Sequence, residues 1–390
     1  MQIIYDEATR ETRRVSPGVE ARREERDAAI DVARGIAILL VIYAHGLQVF
    51  FGARPDGAFS DAAFAQWRVI YSFHMPLFFL ISGMTAQNLP RKSWRRIFEQ
   101  ALFLVALAYA SHVAGVALAA ALGRIPADSG AIFRTLVRPM LIGKDFSLVT
   151  TWFLVALAGA QILAAAIVKG PAAPRCAAIA LAAALVLADP FLPNPFQIRS
   201  FAPGLLFYLA GYTLARVRAA PPAVVAPALL AAVVVLAPLN NACLAEWSCA
   251  PLKGFYADFL AGRFGVLMIT GDVGFFPLFA LTALLGSLLV VIVGRAIASG
   301  PLASSLARPL AWSGRNALDL VLVNGVFIVF LQPVLQRLPP SDDALAHVGL
   351  GAAIVALNLM FMIILSPPLR RLVQFSRFCA ARAVGAPSKE

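Results

Sequence analysis

Ten long apolar blocks follow one another along the chain, near residues 30–51, 67–88, 97–121, 150–168, 174–190, 200–216, 221–240, 271–295, 309–332 and 344–366. Each is a continuous run, without the strict alternation of a half-buried strand. At about 1.5 Å of rise per residue, a helix of about 20 residues covers the ~30 Å of hydrocarbon in a bilayer. The pattern predicts an all-α polytopic membrane protein, a bundle of about ten transmembrane helices. Residues 1–28 read as a polar cytoplasmic tail without a signal-peptide pattern, 29–367 as the transmembrane domain and 368–390 as a basic cytoplasmic tail.

Composition agrees with that picture. Of 390 residues, 60% are hydrophobic and 14% charged, which excludes a soluble core wrapped in a polar surface. The net charge of +12 is spread over short clusters between apolar spans, so it reads as membrane topology and not as a nucleic-acid footprint. With both termini cytoplasmic, the inner loops collect Arg91, Lys92, Arg95, Arg96, Lys169, Arg175, Arg216, Arg218, Arg295 and Arg308. The outer loop at 122–149 dissents with Arg124, Arg134, Arg138 and Lys144, which would face lipid headgroups or an anionic acceptor.

Cys243 and Cys249 fall in a long outer excursion, where a disulfide between them stays open, while Cys176 and Cys379 read as reduced, packed thiols. No Cys/His spacing for a metal is present. Residues 254–270 read as an interfacial helix or as part of the eighth span. The stretch "SFHMPLFFLISG" at 72–83 faintly echoes "SFAPGLLFYLAG" at 200–211. Apolar helices with small residues resemble one another by chance, and a true repeat here would be a parallel one.

Ionisable residues inside the spans carry the candidate chemistry. Arg34 and His45 are 11 positions apart in the first span, which on a helix is about 16 Å of rise and close to three turns. They therefore share a face, and Asp31 is near enough to pair with Arg34. An imidazole in lipid must face protein or water, so His45 is either a functional group or a neutral histidine hydrogen-bonded between helices. His74 enters the second span at a similar depth, next to Pro76, which interrupts backbone pairing or kinks the helix. Trp152 reads as an interface anchor, with Ala156, Gly159 and Ala160 suited to close helix packing.

The ordered set "DVARGIAILLVIYAHG", "FHMPLFFLISGM", "RKSWRRI", "TWFLVALAGAQIL" and "LLFYLAGYTLA" resembles the acyltransferase-3 family of integral membrane O-acyltransferases, most closely its sugar O-acetylase branch. That resemblance covers the first six spans well and the rest loosely. It implies transfer of an acyl group, commonly acetyl, from cytoplasmic acyl-CoA to a hydroxyl of a glycan, glycolipid or related acceptor. The family's arginine, ten residues, then histidine pattern falls on Arg34 and His45, and its histidine is regarded as catalytic. Its arginine pair in the first cytoplasmic loop is met imperfectly by Lys92 and Arg95, flanked by Arg91 and Arg96. An ordinary positive-inside cluster explains the same residues. The family's late histidine is replaced by Asn324. Asp319 in that span has Arg315, four residues earlier, as its nearest partner.

The resemblance and the residues together lead to an inner-membrane bacterial O-acyltransferase. His45 serves as general base, with an acyl-imidazole as the alternative, while His74 orients the acceptor or donates to the oxyanion, and Asp31 belongs to the same catalytic group. Arg34, with the basic loop, would hold the phosphates of acyl-CoA, and no metal is called for. Membrane lipid and a carbohydrate or glycolipid acceptor are the other expected partners, and assembly into a homo-oligomer is left open. A multi-span transporter or exporter is the competing class. It would carry paired broken helices and strong internal repeats.

Overall fold

The computed structural model describes residues 17–53, 58–125, 128–187, 194–216, 222–240, 265–271, 273–300, 303–337 and 344–385. The elements are helices: α1 (Pro17–Ala53), α2 (Ala58–Tyr71), α3 (His74–Met84), α4 (Trp94–Ala121), α5 (Trp152–Lys169), α6 (Ala172–Leu187), α7 (Ile198–Leu214), α8 (Ala226–Leu239), α9 (Phe276–Ser299), α10 (Arg308–Arg315), α11 (Ala317–Arg337) and α12 (Ala344–Ala383). Short helical turns occupy the stretch between α4 and α5. Among the described residues five helices are long and apolar enough to cross a membrane: Ala28–Gln48, Trp94–Ala121, Val149–Lys169, Phe276–Ser299 and Gly349–Ala383. The shorter apolar helices Ala172–Ala184, Ala223–Leu239 and Ala317–Val329 accompany them. Cys243 and Cys249 lie outside the described residues, whereas Cys176 and Cys379 are free thiols.

The second span is two helices. Continuity fails at Ser72–Phe73, where Phe73 takes φ −141° and ψ −16°. Pro76 then lies in the first turn of α3, where a missing N–H breaks no intrahelical bond. It helps start a helix instead of kinking one. The ninth span also divides, at Asn316 between α10 and α11. By contrast α12 is unbroken through Pro367 and Pro368, so the boundary expected at 367 falls inside one 40-residue helix. Its C-terminal part runs antiparallel along α4, with the Arg377 guanidinium 5.3 Å from the Phe103 ring centre and Arg95 Nη2 donating to the Gly385 carbonyl at 2.7 Å.

α1 is the hub of the bundle, packed against α2, α3, α9, α10, α11 and α12. Its closest neighbour is α10, because glycines meet backbone on both sides: a Cβ on Gly35 would lie 1.9 Å from the Leu310 carbonyl oxygen, and one on Gly314 1.9 Å from that of Asp31. The two echoing stretches form a second such crossing. In α3 a Cβ on Gly83 would lie 1.8 Å from the Tyr208 oxygen, and in α7 one on Gly211 would lie 1.9 Å from the Leu80 oxygen. Those four residues occupy matching places in the two stretches, so the contact is reciprocal. Without a hydrophobic drive between helices in lipid, such close backbone approach is what dispersion can use.

Of the stretch 254–270, residues 254–264 lie outside the described residues; 265–271 are non-helical, and their apolar side chains Val266, Leu267 and Met268 are buried. The eighth span accordingly begins at Phe276. Non-helical backbone at such depth needs partners. Asn194 Nδ2 and Ser200 Oγ donate to the Ile269 carbonyl at 3.1 and 3.4 Å, and Arg199 Nη2 donates to that of Gly271 at 3.4 Å.

Candidate active site

His45 lies on the hub helix, eight residues from its C-terminal end. Its Nδ1 is 2.6 Å from Asn324 Oδ1 of α11. Asn324 Nδ2 in turn donates to Asn358 Oδ1 of α12 at 3.3 Å, and Asn358 Nδ2 donates to the Ile354 carbonyl one turn back at 3.3 Å. Both asparagines are buried, at 1% and 0% exposure, so none of these groups has bulk water to turn to. The directions of the bonds fix the protons. An amide oxygen can only accept, so the imidazole donates from Nδ1, and its Nε2 keeps a lone pair.

The imidazole borders a small cavity of about 50 Å³ lined by residues of α1, α2, α3, the 149–151 turn, α5, α11 and the 265–271 segment. Its lining mixes polar and apolar groups. Gln48, one turn beyond His45, Tyr71, Thr150 and Trp152 carry polar atoms. There the Tyr71 hydroxyl donates to Gln48 Oε1. The rest is largely apolar, with Val41, Met75, Phe78, Phe153 and Val321 joined by Val149 and by Leu267, Met268 and Ile269. Val41 and Phe78 lie toward the N-terminal end of α1, since farther along the same helices Ile81 and Met84 line a second pocket with Ala29 and Ala33.

His74 lines the same cavity but does not touch His45 directly. The Tyr71 ring neighbours both, its centre 6.2 Å from the His45 ring and 4.5 Å from the His74 ring. His74 is 2% exposed, and its Nδ1 donates to the Ile70 carbonyl at 3.0 Å, across the break between α2 and α3. One nitrogen of His74 therefore stabilises the helix junction.

Arg34 is remote from the cavity. Its Nη1 is 3.4 Å from Asp31 Oδ1, and the other oxygen of Asp31 is 3.6 Å from Arg315 Nη1. Between Arg34 and His45 the shared helical face carries Ile38 and Val41, both buried, so hydrocarbon separates the two polar groups. The ion pair of Arg315 differs from the expected one with Asp319. The chain ends one helix at Arg315 and starts the next at Ala317, so four residues no longer make one helical turn. Half-buried Asp319 instead lies in the field of Arg370 and Arg377 of α12.

The basic loop is built into a corner of the bundle. Lys92 Nζ donates to Gln100 Oε1 at 2.6 Å, Lys169 donates to the Lys92 carbonyl, and the Lys169 ammonium is 5.2 Å from the Trp94 ring centre. Arg91, Arg95 and Arg96 are exposed beside it. Burial and the Arg96 charge push the Lys92 ammonium below the usual lysine value. Among the described residues no group of three or more His, Cys, Asp or Glu side chains has a metal-binding arrangement.

The residues missed in the sequence are Gln48, Tyr71, Thr150 and Asn358. Gln48 had a signal, three positions after His45 on its face, and Asn358 had another as a lone amide in an apolar run. Tyr71 and Thr150 had none, since only the fold brings them to the imidazole.

The sequence model of the acyltransferase-3 family, described as an acyltransferase domain, matches residues 27–367. Two proteins named Nodulation protein NolL are similar over shorter stretches. That of Sinorhizobium fredii is 39% identical over 68 residues, 17% of this chain and 18% of its own, and that of Mesorhizobium japonicum is 38% identical over 87 residues, 22% of each. The chain thus aligns with about a fifth of the length of either relative. No solved structure matches the chain. The family match runs from within α1 to within α12 and includes His45, Asn324 and Asn358, and the chain belongs to the acyltransferase-3 family.

Proposed function

We propose that this protein is a multi-pass O-acyltransferase of the bacterial inner membrane that moves an acyl group, acetyl in the first instance, from cytoplasmic acyl-CoA to a hydroxyl of a carbohydrate or glycolipid. The observation that carries the reading is the bond from His45 Nδ1 to Asn324 Oδ1 at 2.6 Å, which leaves Nε2 as a base beside a cavity lined by both polar and apolar groups. Family membership supports it over the transporter reading.

With the N-terminal end of α1 cytoplasmic, the wall around Val41 and Phe78 receives the acyl end of the donor and the wall bearing Gln48 and Tyr71 receives the alcohol. Nε2 takes the hydroxyl proton as the alcohol oxygen bonds to the thioester carbonyl carbon. The tetrahedral intermediate then expels the thiolate, the C–S bond breaks, and the proton on Nε2 passes to sulfur. An imidazole is suited to both transfers because its ordinary pKa is near neutrality. Asn324 holds the ring and its proton in place. Gln48 and Tyr71 offer hydrogen bonds to the alcohol, and His74 positions the wall through the helix junction. Asp31 holds Arg34 and Arg315 at the cytoplasmic end. There Arg34, with Arg91, Lys92, Arg95 and Arg96, attracts the phosphates of coenzyme A. Lys92 does so as a point charge and the arginines as planar forks.

The test uses inverted membrane vesicles containing the full chain and acetyl-CoA labelled in the acetyl group. Base-labile label is expected in the glycolipid or polysaccharide fraction, and His45→Ala is expected to reduce it at least about a hundredfold, the lower range for loss of a general base. Equal labelling by the variant contradicts the assignment.

A further inference from the structure

We propose that Asn358 is a positioning residue that selects the reactive tautomer of His45 through Asn324. The inference rests on His45 acting as the base. An asparagine has two ends of nearly equal shape, and either end of Asn324 fits against the imidazole. With the oxygen toward His45, the ring must carry its proton on Nδ1, and Nε2 faces the cavity with a lone pair. With the amide nitrogen toward His45, Nδ1 accepts, the proton moves to Nε2, and the base is lost.

Asn358 breaks that symmetry. Its own Nδ2 is engaged by the Ile354 carbonyl at 3.3 Å, so its oxygen is the atom left to face Asn324 Nδ2, also at 3.3 Å. Turning Asn324 round would oppose two amide oxygens in a place with 0% exposure, where no water relieves either. The i−4 carbonyl thus sets one amide, that amide sets a second, and the second sets the imidazole. The relay links α12, α11 and α1, and each step is a single hydrogen bond. Asn358 stands otherwise in an apolar stretch of α12, between Leu357 and Leu359, where an amide without such a partner is costly.

The experiment measures initial rates of acetyl transfer by the purified full chain in lipid vesicles, with acetyl-CoA as donor and the glycolipid fraction labelled above as acceptor. Asn358→Leu is expected to lower kcat about tenfold to a hundredfold, the usual scale for loss of an outer partner, with KM for acetyl-CoA unchanged. Asn358→Asp, protonated in this apolar place, donates its O–H to the Ile354 carbonyl and keeps an oxygen toward Asn324, and is expected to restore kcat to within about threefold of the parent, a deficit under 1 kcal/mol. In an Asn324→Asp background the imidazole meets an oxygen whichever way the side chain turns, so adding Asn358→Leu is expected to cost less than about twofold. Unchanged kcat for Asn358→Leu, no recovery with Asn358→Asp, or a full loss in the Asn324→Asp background overturns the proposal. A His45→Ala variant that keeps the parent's kcat overturns the base assignment instead, so the two failures are distinct.

Discussion

His45 and Asn324 lie 279 residues apart in sequence and meet 2.6 Å apart through Nδ1 and Oδ1. The contact joins the hub helix to α11 and determines which imidazole nitrogen is free.

Replacing Asn324 with leucine removes the acceptor while keeping the size of the side chain. Both tautomers of His45 then become accessible and Nδ1 is left without its partner. The kcat for acetyl transfer is expected to fall about tenfold to a hundredfold, with a smaller change in KM. A matched pair of steady-state assays checks this, and a fall confined to KM contradicts it.

On the proposed reading, the apolar lining around Phe78 and Phe153 sets the acyl length. Their ring centres lie 5.7 Å apart. Phe78→Leu shortens one wall, and the ratio of butyryl-CoA to acetyl-CoA turnover is expected to rise by about 10-fold, the worth of one or two methylenes in an apolar pocket. A competition assay with both donors reads the ratio. An unchanged ratio removes Phe78 from the specificity wall.

The crossing of α3 and α7 has no space for a side chain at Gly83 or Gly211. Gly83→Val must push backbone away from backbone, and a loss of stability above about 3 kcal/mol is expected, beyond ordinary overpacking. Gly349 is the control, since a Cβ there has no atom within 4 Å. Gly349→Ala is expected to leave the melting temperature in detergent unchanged or slightly raised. Equal melting temperatures for the two variants contradict the packing argument.

If the basic loop holds the donor as proposed, Lys92 gives donor binding a pH dependence. Its ammonium is depressed below the ordinary value of 10.5 by burial and by Arg96, with Lys169 and Gln100 also beside it. The charge is lost as pH rises through that lowered value, so KM for acetyl-CoA is expected to increase on the alkaline side earlier than for a free lysine. Lys92→Arg stays protonated and is expected to flatten the profile. The same rise in both proteins assigns it to another group.

Much of the architecture was written in the apolar runs, because a span of about 20 apolar residues has few alternatives to a helix. Where the chain breaks was less visible. Pro76 reads as a kink, yet the interruption falls at Ser72–Phe73, and the proline fits the turn that follows. The site divides in the same way. His45 and His74 announce themselves as imidazoles in hydrocarbon, and both line the cavity. Asn324 is visible in the sequence as the residue standing where the family pattern has a histidine, while its link to Asn358 depends on α11 and α12 being neighbours. Residues 265–271 were unreadable for a further reason. Their backbone is satisfied by Asn194, Arg199 and Ser200, about 70 positions upstream, and no local pattern encodes such a partnership.

The most direct measurement is a density map of the full chain with a non-cleavable acetyl-CoA analogue in lipid nanodiscs. The account predicts that the pantetheine arm enters between Val41, Phe78 and Val321 and that the carbonyl carbon stops within about 5 Å of His45 Nε2, near enough for an attacking hydroxyl to touch both. A carbonyl carbon lodged elsewhere, with Nε2 walled off by apolar side chains, contradicts it.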